Sequence, residues 1–151
     1  MFEKAKAQLK KQLTQGATPR ELALTVAFAV VLGVFPLIGF TTLLCFAFAL
    51  VFRLNQPIIQ VLNYVVAPLQ LILIPVFLMI GEFLFGAEHT SINPVKMVEA
   101  FSNDWRGFLV EYGMAGAYAV FAWSICAPIG GFIIFRVMKP LLERMKRKAA
   151  Q

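Results

Sequence analysis

The stretch LALTVAFAVVLGVFPLIGFTTLLCFAFALVF, Leu22–Phe52, runs for 31 residues without a charged side chain, and Gly33-Val-Phe-Pro36-Leu-Ile-Gly39 sits in its middle. A membrane span needs only about 20 apolar residues. As one helix this stretch would reach about 46 Å, well past a hydrocarbon core of about 30 Å. The glycine–proline break divides it into halves of about 12 residues, and neither half alone can cross. The economical reading is a re-entrant hairpin that enters the bilayer, turns near mid-depth and leaves by the same side. Irregular backbone is costly in lipid, so such a turn needs a protected or wet cavity around it.

The rest of the composition agrees with a membrane setting. Sixty per cent of the 151 residues are hydrophobic, against about 45–50% apolar in ordinary globular chains. Fifteen phenylalanines stand beside only three serines, which suits lipid-facing helices. The length is that of one domain. The net charge of +6 is concentrated at the ends. Residues 1–21 carry five basic and two acidic groups, residues 136–151 six and one, and residues 82–111 reverse the balance with two and five. Short loops rich in Lys and Arg stay cytoplasmic, so both termini are expected inside and 82–111 outside. The basic ends then meet anionic lipid headgroups, and no nucleic-acid partner is expected. The start does not read as a cleavable secretory signal: its charged region and apolar run are both too long.

The expected organisation follows from these breaks. Residues 1–18 form an amphipathic cytoplasmic helix, either lying on the inner leaflet or packing on its own protein. Gly16-Ala-Thr18-Pro19 ends it, with Thr18 as cap and Pro19 in the first turn of the next helix. The membrane domain covers residues 19–140. It holds the broken halves Pro19–Leu32 and Phe40–Phe52, the polar clip Arg53–Pro57, and apolar runs at Ile58–Phe85 and about Phe108–Phe135. An outer-loop helix is expected at about 93–106, and residues 141–151 form a basic cytoplasmic tail. Pro68 and Pro128 are alternative turning points, so a second hairpin stays open. Phe35-Pro36-Leu-Ile-Gly39-Phe40 and Ala127-Pro128-Ile-Gly130-Gly131-Phe132 hint at an inverted repeat. Gly113, Gly116, Gly130 and Gly131 are candidates for close helix contact. The fold class is all-α: a small polytopic membrane bundle with a re-entrant broken-helix hairpin.

Catalytic chemistry has little to work with. The chain holds one histidine, His89, and one aspartate, Asp104, and lacks paired aspartates, a His-x-x-x-His pair and phosphate-loop patterns. Cys45 and Cys126 lie in apolar runs and read as small buried hydrophobes. No catalytic residue, metal ligand or cofactor is assigned. Glu82 and Glu111 fall at the outer boundary and read as solvated. The polar residues inside the apolar runs are the informative ones. Thr41 and Thr42 follow Gly39 at the start of the second half-helix, whose N-terminus offers free N–H groups and partial positive charge. With Arg53 and Asn55 near the mouth they suggest a cradle for phosphate or carboxylate. On the other reading the threonines serve carbonyls freed by Pro36 and Arg53 snorkels to headgroups. Asn63 and Gln70 are seven residues apart on one helical face, with Pro68 between them. They either line a cavity with the hairpin or hydrogen-bond across helices as packing glue.

Gly16-x-x-Pro19, the Gly33-x-x-Pro36-x-x-Gly39-x-x-Thr42 break, Arg53-x-Asn55, Pro68 and Gly81 followed by Leu84-Phe-Gly86 resemble the small bacterial inner-membrane proteins catalogued as domain of unknown function two thousand and sixty-two. The resemblance covers about residues 10 to 140. That family usually has Asn-Pro followed two residues later by Thr in the second break. Here Ala67-Pro68-Leu-Gln70 stands instead, without those polar partners unless Asn63 substitutes. The resemblance implies an envelope-associated protein, with relatives sometimes joined to enzymes of lipid or glycan assembly. Its paired breaks are similar in architecture to lipid-carrier translocases, and architecture does not fix function.

The expectation is a non-enzymatic, multi-pass inner-membrane protein that oligomerises and transports or translocates a small or lipid-linked anionic solute. Arg53, Thr41, Thr42, Asn55, Asn63 and Gln70 are its candidate binding residues, and Gly33, Pro36, Gly39 and Pro68 shape its hairpin. The alternative is a membrane adaptor or assembly factor for an envelope lipid or glycan enzyme.

Overall fold

The computed structural model describes residues 7, 17–87 and 102–149. Four long helices, and no strands, occur among the described residues: α1 Pro19–Gly33, α2 Thr41–Val51, α3 Gln56–Phe85 and α4 Trp105–Ala149. The expected helix over 1–18 lies almost wholly outside the described residues, as does most of the outer-loop helix at about 93–106.

The starts of α1 and α3 have a local cause. Thr18 and Glu21 form a reciprocal capping box, with Glu21 N donating to Thr18 Oγ1 at 3.2 Å and Thr18 N to the Glu21 carboxylate at 3.1 Å. Pro19 occupies the first turn, where its missing N–H costs nothing. Asn55 caps α3 by accepting from Ile58 N at 3.2 Å, with Pro57 in the first turn. α2 ends in a left-handed residue, Arg53 at φ 53, and Leu54 N reaches back to Ala49 O at 2.8 Å. This is a Schellman-type stop in which an arginine holds a position that favours glycine.

Between α1 and α2 the chain reverses through residues 34–40. Pro36 cannot donate a helical hydrogen bond, and Gly39 adopts φ 92, a region open to glycine. The two helices then run antiparallel. Phe28 of α1 meets Phe48 and Phe52 of α2, with ring centroids 5.8 and 5.0 Å apart, and Asn55 N donates to Thr25 Oγ1 at 3.3 Å. The expected half-helices Pro19–Leu32 and Phe40–Phe52 are found within a residue of their observed ends.

α3 and α4 form a longer antiparallel pair. Leu142 packs with Leu22, Ala23 and Ile58 at one end, here called the base. Toward the other end Phe77 and Leu78 pack with Ala115, Ala119 and Ala122. The α1–α2 hairpin leans on the base half of this pair. Its turn reaches Gln70, the midpoint of the 30-residue α3, where Gln70 Nε2 donates to Phe35 O at 2.8 Å.

Neither later apolar run doubles back. Pro68 and Pro75 lie inside α3, and Pro128 and Pro140 inside α4. Neither Pro68 nor Pro128 therefore turns a second hairpin, and the Pro36 and Pro128 segments, alike in sequence, differ in structure. α4 starts at Trp105 and carries the basic residues 144–148 in its last turns, so the tail expected at 141–151 is continuous with the third run as far as Ala149.

α3 and α4 are long and apolar enough to cross a membrane. A soluble core helix can be equally apolar, but it is buried; only 22% and 11% of their most apolar windows are. Val51, Phe83 and Val110 are 75%, 85% and 77% exposed, and Leu43, Phe46, Ile72 and Ile129 are exposed as well. Exposed apolar side chains distributed over α2, α3 and α4 in this way fit a lipid surrounding.

Candidate functional site

The polar residues of the apolar segments fall into two groups. The first lies along the hairpin side of α3. Asn63 and Gln70 are both buried, 3% and 6% exposed, and both point at the hairpin. Asn63 Nδ2 donates to Thr42 Oγ1 at 3.4 Å, Gln60 Nε2 to Thr42 O at 3.2 Å, and Gln70 to the turn at Phe35. Asn63 Oδ1 would also stand 3.2 Å from a Cβ added at Gly33, so that glycine lets α1 close on α3. Trp123 of α4 completes the lock from the opposite side: its indole N–H donates to Val31 O at 3.0 Å, and its ring meets Phe35 edge-on at 4.9 Å. Of the two roles open to Asn63 and Gln70, these bonds fit hydrogen bonding across helices. Thr41 is buried and Thr42 exposed, and Phe40 provides no side-chain cap to α2. Gln60 Oε1 is the one buried side-chain acceptor without a partner among the described residues.

The second group lies at the base. Thr25 is fully buried, donates to Glu21 O at 2.9 Å and accepts from Asn55 N, which ties the start of α3 to α1. Asn55 thus serves as a cap and clip. Arg53 is exposed beside it. From Thr42 to Arg53 is the length of α2, about 16 Å at 1.5 Å per residue, so the arginine does not join the threonines in one cradle. Pro68 sits within α3 between Asn63 and Gln70 and breaks nothing.

A cavity of about 380 Å³ opens between the hairpin and α4. Ala27, Phe28 and Val31 line it from α1, Phe48 from α2, and Trp123, Ala127, Pro128 and Gly131 from α4. Ser124 adds the lone hydroxyl, which donates to Phe121 O at 2.7 Å. Pro128 has no N–H, so it also denies the Ser124 carbonyl its usual helical donor. The remaining surface of the groove is hydrocarbon. Its volume lies at the small end of the range for ligand pockets, about 300–1,000 Å³.

A family model described as an uncharacterized protein conserved in bacteria, DUF2062, matches residues 3–151. The chain belongs to the DUF2062 family. No curated protein and no solved structure matches it. In this DUF2062 protein the quoted motif residues acquire physical roles. Gly33 admits Asn63, Gly39 turns the hairpin, Arg53 ends α2 and Asn55 starts α3.

Two features escaped sequence reasoning. Gly81 lies where α3 and α4 press together so closely that a Cβ there would collide with the Tyr118 carbonyl. Glu82, expected to be solvated, is only 4% exposed. Its neighbour Gly81 was the available signal, since a glycine inside a long helix marks a close crossing. Among the other glycines, Gly131 and Gly116 approach Val31 and Leu37, while Gly113 and Gly130 face open space.

Proposed function

We propose that this is a multi-pass protein of the bacterial inner membrane, with both termini cytoplasmic, whose α1–α2 pair is a re-entrant hairpin, and that it translocates a lipid-linked anionic solute. α3 sets the depth. Thirty residues reach about 45 Å, enough to cross a hydrocarbon core of about 30 Å, and Gln70 then lies near mid-depth. Phe35 is tied to Gln70, so the hairpin turns there and returns to the base. Arg20, Arg53, Lys139, Arg144, Lys146 and Arg147 belong to the base half, which the positive-inside rule makes cytoplasmic.

The observation that carries the functional reading is the apolar groove between hairpin and α4. Among the described residues a free small anion finds no cation at the turn, where Asn63 and Gln70 already bond within the protein. A hydrocarbon chain finds an open slot of matching polarity. A lipid-linked anion satisfies both halves of the structure, its chain in the groove and its head toward the basic end.

The test is lipid scrambling in proteoliposomes, read with a headgroup-labelled phosphatidic acid and a membrane-impermeant quencher. The wild type is expected to expose inner-leaflet label, and Ala127→Phe, which fills the groove, to stop it. Equal rates with and without protein would reject translocation and favour the adaptor reading.

A further inference from the structure

The groove does not end at Gly131. Phe132 lines its base-side end, and the Arg136 guanidinium lies over that ring at 5.6 Å from the centroid. Immediately beyond, Phe135, Arg136, Lys139, Pro140 and Glu143 surround a second depression of about 300 Å³. Positions 124, 128, 132, 136, 139 and 143 recur at three- and four-residue steps, so groove and depression share one face of α4. That face changes from apolar to cationic in a single helical turn.

The dimensions select one leaflet. From Trp123 to Phe132 is about 14 Å along the helix, close to half of a hydrocarbon core of about 30 Å. Arg136 stands six residues, about 9 Å, from Leu142 of the base cluster, and its long side chain can carry the charge to the phosphate level. Both Arg136 and Lys139 are exposed. Glu143 is the acidic neighbour in the depression, which leaves one net positive charge among the three.

We propose that this face of α4 is a binding site for a single phosphate-bearing lipid of the cytoplasmic leaflet, its chain in the groove and its phosphate on Arg136 and Lys139. This rests on the groove being a chain-binding slot, as in the function proposed above, and adds the headgroup class and the residues that select it. It moves the anion site from the α2 threonines and Arg53 to α4.

Trp123 lines the groove and supplies the probe. In a Trp105→Phe background it is the sole tryptophan. Its fluorescence is read in bilayers where either phosphatidic acid or phosphatidylcholine carries brominated chains, with the brominated fraction raised stepwise at constant overall headgroup composition. Brominated phosphatidic acid is expected to quench at lower mole fraction. Arg136→Gln with Lys139→Gln should erase the preference, at about fivefold per cation and about thirtyfold for the pair. Both cations are exposed, so the double variant keeps its packing, and an unchanged circular-dichroism spectrum confirms this. Equal quenching by the two lipids in the wild type would overturn the headgroup assignment while leaving the chain slot intact. Quenching by neither lipid, or by both unaffected by Ala127→Phe, would overturn the slot as well. A preference that survives the double variant also overturns the proposal.

Discussion

Gly81→Ala is the sharpest perturbation of the helix packing. A methyl group there would lie 2.9 Å from Tyr118 Cβ and collide with the Tyr118 carbonyl. Ordinary carbon contacts are about 3.5–4.0 Å, so α4 must withdraw by about 1 Å. The obstacle is backbone, and no rotamer change relieves it. The withdrawal loosens the cluster of Phe77, Leu78, Ala115, Ala119 and Ala122 beside it. A gap of this size forfeits about a quarter to a half of each contact's attraction. Overpacking of this kind costs about 1–3 kcal/mol, offset by about 1 kcal/mol from replacing glycine with alanine in a helix. The net expectation is a loss of up to about 2 kcal/mol, a fall in Tm of up to roughly 8 °C for a chain of this length, and a stability about 1–3 kcal/mol below that of a glycine-to-alanine change with no clash. Gly113→Ala and Gly130→Ala are the controls. An added Cβ meets nothing within 4 Å at either, so both should be neutral or stabilising by up to about 1 kcal/mol. The assay is thermal unfolding of the purified protein in detergent, followed by far-ultraviolet circular dichroism. A Gly81→Ala protein as stable as the Gly113→Ala control would refute the close α3–α4 crossing.

Three further outcomes follow from the hairpin. Gln70→Leu removes the donor to Phe35 O and leaves that carbonyl in apolar surroundings, at a cost of about 1–3 kcal/mol in the same unfolding assay. Faster amide exchange localised to residues 34–40 should accompany it. Gly39→Ala meets no atom within 4 Å but must hold φ 92, so its loss of about 1–2 kcal/mol is purely conformational, and Gly39→D-Ala by chemical ligation should recover it. Arg53→Gly relieves a left-handed arginine and should raise unfolding stability by about 1 kcal/mol.

The hairpin was the most legible part of the fold because its signals are local. Pro36 and Gly39 interrupt an apolar run, Thr18-Pro19 and Asn55-Gln56-Pro57 start helices, and each acts on its own few residues. Asn63 and Gln70 were legible as a shared face because helical spacing alone decides that. The internal prolines were not. Pro68, Pro75, Pro128 and Pro140 carry the same chemistry as Pro36, yet their helices run on, since neighbouring helices can re-satisfy the freed backbone groups. An accompanying glycine does not decide it, since Gly130 and Gly131 follow Pro128 within α4; at Pro36 the chain reverses with Gly39 at φ 92, and Gln70 and Trp123 from the neighbouring helices hold Phe35 O and Val31 O. Gly81 and the groove depend on which helix lies opposite, and no single segment of sequence records that. The placing of Arg53 beside Thr41 and Thr42 failed to assemble for the same reason: they occupy opposite ends of α2.

The side of the membrane on which α2 ends decides between a re-entrant hairpin and a full crossing. In a background with Cys45→Ala and Cys126→Ala, single cysteines at Arg20 and Arg53 bracket the hairpin from its two open ends. A membrane-impermeant maleimide should label both in inverted inner-membrane vesicles and neither in intact spheroplasts. Labelling of the Arg53 position from the outer face, with the Arg20 position still cytoplasmic, would mean that Leu22–Phe52 passes through the bilayer, and the leaflet-deep lipid slot would have no place to stand.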